Sequence, residues 1–210
     1  MDLSEMKTLV RRDLHDEDSE NYRWTDDEIE RHIAHALRDF SGAVPREQKT
    51  NKATTSGSRD IDISTVSDRV SVEAVEYPVG DYPARYRRFS LWGDTLTLLD
   101  EEVPDGSDAC LYYGELHTLG ASASTIPPVY EDLVATGACG YATVEWAVYA
   151  VNRVNVGGTT TPGEIMDWGR EVLSRFRREL ARLSRKNRVR IRSLYRPYSP
   201  PVSQSKDYGP

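Results

Sequence analysis

At 210 residues the chain is long enough for one domain or two small ones with a real core, which excludes a disulfide-stapled mini-protein. Charged residues are 29% of it and no window approaches the roughly 20 consecutive apolar residues of a membrane span, so a soluble globular chain is expected. The net charge of −7 is the difference of two opposed blocks: residues 1–169 carry 15 basic and 31 acidic side chains, net −16, whereas residues 170–196 carry 11 basic and 2 acidic, net +9, and Lys206 and Asp207 cancel. An acidic body thus carries a basic tail.

From the start of the chain, Leu3, Met6, Leu9, Val10 and Leu14 fall on one face of a helix over residues 3–15. Its acidic residues and lack of an apolar stretch argue against a secretory signal. After the acidic loop from Asp16 to Glu20, Trp24-Thr25-Asp26-Asp27-Glu28 has the spacing of a capping box, Thr25 with Glu28, and starts a second helix. Ile29, Ile33, Ala36, Leu37 and Phe40 form its apolar stripe, and Gly42 with Pro45 marks its end.

Residues 46–60 are polar and aperiodic and read as a loop or mobile arm. From Ile61 the period becomes two. Ile61 and Ile63, then Val70 and Val72, alternate with polar residues, and Val75 continues the pattern less strictly. Residues 86–92 and 95–99 flank a Gly93-Asp94 hairpin turn, and a last run covers residues 109–116. Residues 61–117 are therefore predicted to form a small antiparallel sheet inserted between helices.

A third helix is expected from about residue 129 to 152, apolar nearly all round through Ala135, Ala138, Tyr141, Ala142, Trp146, Val148 and Tyr149. Gly137 and Gly140 lower helix propensity by about 1 kcal/mol each, which points to close approach by a neighbour. A fourth helix starts with Thr161 as cap, Pro162 at its first position and Glu164 at its third. Ile165, Trp168, Val172, Phe176, Leu180 and Leu183 lie on one side and arginines on the other. Past Asn187, Arg188, Arg190 and Arg192 alternate with Val189, Ile191 and Ser193 before Leu194, Tyr195 and Arg196, a period of two that reads as an extended docking segment. The proline-rich end extends it.

No catalytic constellation emerges. His32 and His35 lack a third ligand at zinc-site spacing, His15 and His117 sit at element ends, and the phosphate-loop and nucleophile-elbow motifs are missing. The acidic clusters from Asp16 and from Asp26 do not match a calcium loop, so an enzyme, a metal or a cofactor is not expected. Glu145, inside the most apolar helix, needs an ion-pair partner, for which Arg153 or a fourth-helix arginine is available. Cys110 and Cys139 read as buried thiols in a reducing cell. The basic segment allows two readings: a docking arm against another protein, or a nucleic-acid patch whose arginines track phosphates beside Tyr195 and Tyr198.

The combination of EMKTLVRRDLHDEDSENYRWTDDEIERHIAHALRDFS with EDLVATGACGYATVEWAVYAVNRV, the TTTPGE helix start and the Arg-rich exit resembles the head-to-tail adaptor (connector) proteins of long-tailed bacteriophages and prophages. The likeness covers nearly the whole length through patterns of helix and loop. It implies an α+β, mainly α chain: a four-helix bundle over residues 1–187 with an antiparallel β insertion at about 61–117 between the second and third helices, and an extended C-terminal docking arm over 188–210. It further implies a structural virion protein at the capsid-to-tail neck, assembled in the host cytoplasm as a ring of about twelve copies. Its partners would be the portal protein, neighbouring copies and the next tail component, with DNA passing through unread and no membrane. Tyr22, Trp24, Thr25 and Asp26 match the loop and cap before the second helix, and Glu28 completes that cap as a structural residue. Arg188, Val189, Arg190, Ile191, Arg192, Leu194, Tyr195 and Arg196 match the portal-docking exit, with Pro197, Pro200 and Pro201 keeping the end extended. Trp146, Thr161, Pro162, Glu164 and Trp168 are structural in this reading. The acidic body would then repel DNA phosphates from a channel wall.

Overall fold

The computed structural model of the chain describes residues 1–151 and 161–197. Its helices are α1 (Leu3–Asp13), α2 (Asp26–Ala43), α3 (Glu131–Ala150), entered through a single 3-10 turn (Pro128–Tyr130), and α4 (Pro162–Leu194). The strands are β1 (Arg46–Ala53), β2 (Asp60–Asp62), β3 (Arg69–Glu76), β4 (Tyr86–Arg87), β5 (Phe89–Trp92), β6 (Thr95–Leu98) and β7 (Asp108–Glu115). The chain divides into two compact units, Met1–Glu47 with Gly114–Val189, and Gln48–Tyr113 with Arg190–Pro210.

The helical unit starts at two well-made caps. Asp2 accepts from the backbone N–H of Glu5 while Glu5 accepts from that of Asp2, and Thr25 and Glu28 do the same for α2, so the first backbone donors of both helices are satisfied by side chains. The faces that 3.6-residue periodicity brings together then close one core. Met6 and Val10 of α1, Ile29, Ile33, Ala36 and Phe40 of α2, Val134, Ala135, Ala138 and Ala142 of α3, and Leu173, Phe176 and Leu180 of α4 are all buried in it. Two glycines let α4 in. A Cβ on Gly137 would meet the Phe176 ring at 2.7–2.9 Å, and one on Gly140 would meet Leu173 Cγ at 2.8 Å and its backbone nitrogen at 3.2 Å.

The β unit consists of two antiparallel sheets, ordered β1-β7-β3-β4 and β2-β6-β5. Both contribute to one core: Ile61, Leu96 and Leu98 from the three-stranded sheet, Val75, Ala109 and Leu111 from the four-stranded one, joined by Ile63, Val66 and Tyr77. Asp60 to Asp62 pair with Thr97 to Thr95, which leaves Ile61 facing inward between two exposed aspartates. At the β5–β6 hairpin Trp92 pairs with Thr95, and Gly93 takes the left-handed φ of +56° that the tight turn requires.

The expected fold class is corrected on this point. The strands are not a small insertion in a four-helix bundle: among the described residues seven of them form two sheets with a separate core, and strand is 21% of those residues against 45% helix. Two local features account for the difference. Residues 46–53, expected as loop, form β1, an edge strand whose sequence REQKTNKA has no apolar alternation because neither of its faces is deeply buried. The run 86–92, expected as one strand, is interrupted at Arg88, so that β4 joins one sheet and β5 the other.

The arm is corrected too. Residues 188–194 are not extended but complete α4, since arginine and leucine are good helix formers and no glycine or proline between Asn187 and Leu194 interrupts the hydrogen-bond ladder. Residues 198–210, which include Pro200 and Pro201, lie outside the described residues, as do Arg153 and the loop before Thr161. Among the described residues no helix is long and apolar enough to cross a membrane.

Candidate functional site

The expected docking residues occupy the last turns of α4 and the residues just beyond it. Arg188, Arg192 and Arg196 are exposed, and two apolar side chains stand out with them, Val189 at 70% and Leu194 at 52% exposure. Arg190 is exposed and Ile191 half-buried. Tyr195 behaves differently from its neighbours. Its ring packs edge-on against Tyr86 of β4 at 5.1 Å and tilted against Tyr112 of β7 at 5.1 Å, and Pro197 bridges Tyr86 in parallel. Tyr112 is in turn fixed by donating its hydroxyl hydrogen to Glu76 Oε2 at 2.8 Å, and burial with this carboxylate pushes its ionisation up. The sequence singled out Tyr195 as an arm residue, but nothing local in it could pair that ring with Tyr86 and Tyr112.

Upstream on α4, Arg175, Arg178, Arg182 and Arg185 recur at spacings of three and four and form an exposed cationic stripe. Together with Leu133, Thr136 and Phe176 they line a groove of about 620 Å³. Glu179 is the acid within it and accepts from Arg182 Nε at 3.0 Å. On another face of the unit, the Tyr141 hydroxyl donates to Asp39 Oδ2 at 2.5 Å.

The residues expected to be structural divide. Thr25 accepts from the Glu28 N–H at 3.3 Å, and Glu28 Oε2 accepts from the Thr25 N–H at 2.7 Å, which holds the Glu28 carboxyl below its usual range. Thr161 and Glu164 make the same exchange at 3.3 and 2.7 Å, ahead of Pro162 at the first position of α4. Trp24 is buried and Trp146 half-buried against it, ring centroids 5.4 Å apart. Trp168, expected on the core side of α4, is 48% exposed. The helical core begins further along α4, at Leu173 and Phe176.

Several polar residues acquire roles that spacing did not show. Arg11 and Asp16 form a buried ion pair, Nη1 to Oδ2 at 2.6 Å. Nη2 of Arg11 also donates to the Trp24 carbonyl at 3.0 Å and to Asp26 at 2.8 Å, while the guanidinium lies 3.6 Å from the Tyr22 ring centre. Glu145 is held by α2 instead of α4: Arg31 donates to its Oε2, and the buried His32 places Nε2 2.7 Å from the same oxygen, off the line of a good hydrogen bond. Burial pushes the His32 imidazole toward its neutral form. His35 stacks on Tyr141 at 3.9 Å. His117, expected at an element end as an exposed or capping residue, is buried, with Nδ1 2.8 Å from the Thr125 carbonyl and Nε2 3.0 Å from that of Val44. Cys110 and Cys139 are buried and unbridged, and burial lifts the Cys139 thiol to about 12.

No family model matches this chain, and no curated protein matches it.

Proposed function

We propose that the chain is a structural adaptor of a tailed-phage neck, a non-enzymatic virion protein that assembles as a ring beneath the portal and presents the end of α4 to portal acids while DNA passes through. The observation that carries this reading is the surface at that helix end, where Arg188, Arg192 and Arg196 accompany the exposed Val189 and Leu194. Apolar side chains exposed beside cations suit a protein partner with acidic and apolar contacts, because the apolar groups gain only when water is expelled. The opposed charges of body and tail, −16 and +9, and the likeness to connector proteins point the same way.

The test is association with a purified portal, read by co-sedimentation and particle images. The charge-reversed variant R188E/R192E/R196E keeps its helical circular dichroism and loses portal association. Unchanged association would overturn the reading. A second reading, nucleic-acid binding, is favoured by the stripe of Arg175, Arg178, Arg182 and Arg185. It predicts a DNA affinity that falls steeply with salt and weakens on reversing those four residues. A titration without DNA affinity at low ionic strength would remove it.

A further inference from the structure

Outside the docking helix, the helical unit holds a cavity of about 530 Å³ between the loop before α2 and the end of α3. That size falls within the roughly 300–1,000 Å³ of ligand sites. Its walls are aromatic: Tyr22 and Trp24 on the loop side, Trp146 and Tyr149 on α3. Trp24 and Trp146 are 5.4 Å apart, as are Trp146 and Tyr149, so three rings form a continuous tilted stack. Among the described lining residues, two carboxylates, Glu28 and Glu145, stand with one cation, Arg23.

Both carboxylates are positioned and only half used. Among the described residues, Glu28 spends Oε2 on the Thr25 cap, and Glu145 accepts from Arg31 on its own Oε2, which also lies 2.7 Å from His32 Nε2. The Oε1 atom of each carries no such contact. Rings with a negative face beside two fixed acids attract a cation, and a planar guanidinium suits them better than an ammonium because it stacks on a ring and donates in a fork at once. This corner of the molecule already contains one such arrangement, with the Arg11 guanidinium 3.6 Å from the Tyr22 ring centre while it donates to Asp16 and Asp26.

We propose that this cavity binds an alkylguanidinium group, the side chain of an arginine presented by a partner peptide. The site is independent of the portal reading.

The test uses the full chain, labelled with ¹⁵N, titrated with N-acetyl-arginine methylamide and watched at its four tryptophan indole N–H signals, with the citrulline analogue as a neutral isostere. Saturable shifts are expected at Trp24 and Trp146 and not at Trp92 and Trp168, with the citrulline analogue at least about tenfold weaker. Tyr149→Ala, at a half-exposed wall position, weakens binding at least about fivefold with the remaining spectrum intact. Tyr22→Ala, on the facing wall, gives the same readout if Tyr149→Ala does not fold. Equal binding of the two analogues, shifts spread over all four indoles, or shifts at Trp24 and Trp146 that survive both substitutions would overturn the proposal.

Discussion

The ring of Phe176 occupies the space that any side chain on Gly137 would need: a Cβ there would lie 2.7 Å from Phe176 Cζ. Gly137→Ala therefore trades a helix-propensity gain of up to about 1 kcal/mol for overpacking of about 1–3 kcal/mol, and a net loss of about 1–2 kcal/mol is expected in urea denaturation. Phe176→Leu should cost less when combined with Gly137→Ala than when made alone, because the smaller side chain relieves the clash. Gly42, with nothing within 4 Å of its would-be Cβ, is the contrast: Gly42→Ala is expected to be neutral or stabilising. Equal effects at the two glycines would show that the α3–α4 approach is not close.

The Arg11–Asp16 pair predicts a large and asymmetric loss. Arg11→Met removes the partner at 2.6 Å from a buried carboxylate and deprives the Trp24 carbonyl of a donor, for a cost of about 3–5 kcal/mol. Arg11→Lys recovers only part of it, since one ammonium cannot reproduce the fork that reaches Asp16, Trp24 and Asp26. Asp16→Asn combined with Arg11→Met should be less harmful than Arg11→Met alone, because no unpaired charge is then left inside. Thermal unfolding of the three variants checks the order.

Asp105 supplies a pH dependence. Its Oδ1 accepts from the Ser107 N–H at 2.9 Å and the Tyr77 hydroxyl at 2.7 Å, and these bonds, those of Ser107 first, lower its pKa from 3.8 to about 2. The folded chain thus takes up this proton less readily than the unfolded chain. The contribution of the carboxylate is complete above 3.8 and disappears as the pH falls toward about 2. Asp105→Asn should be less stable than the parent at neutral pH, with the gap closing across that interval. A gap independent of pH in acid denaturation would contradict the assignment.

Tyr195 ties the end of α4 to the sheet through Tyr86 and Tyr112. Tyr195→Ala removes two aromatic contacts, about 0.5–1.5 kcal/mol each beyond area burial, and should speed hydrogen exchange over residues 190–197 while leaving α1 and α2 unchanged. Tyr195→Phe should preserve protection, because the contacts are made by the ring. Unaltered exchange in Tyr195→Ala would mean that the helix end holds without them.

Local chemistry in the sequence determined where most helices begin and which faces they bury. Thr25 with Glu28 and Thr161 with Glu164 are complete caps within four residues of chain, and the stripes through Met6, Ile29 and Phe176 follow from helical periodicity alone. The use of Gly137 and Gly140 was legible for a related reason: glycine weakens an apolar helix, and a neighbour that needs the vacated space offsets that loss. What only the tertiary structure decided are the matters set by partners remote in sequence. The polar β1 is a strand because β7 pairs with it, and β4 parts from β5 because two sheets share a core. Residues 188–194, whose alternation fits either period, are helical because they continue a ladder already begun, and Tyr195 is held inward by two rings from distant strands. Glu145 likewise found Arg31 and His32 across the bundle, where neither charge nor spacing along the chain could point. Short-range hydrogen bonds and periodicity are written in consecutive residues, whereas strand pairing, ion pairs and aromatic contacts depend on which surfaces meet after collapse.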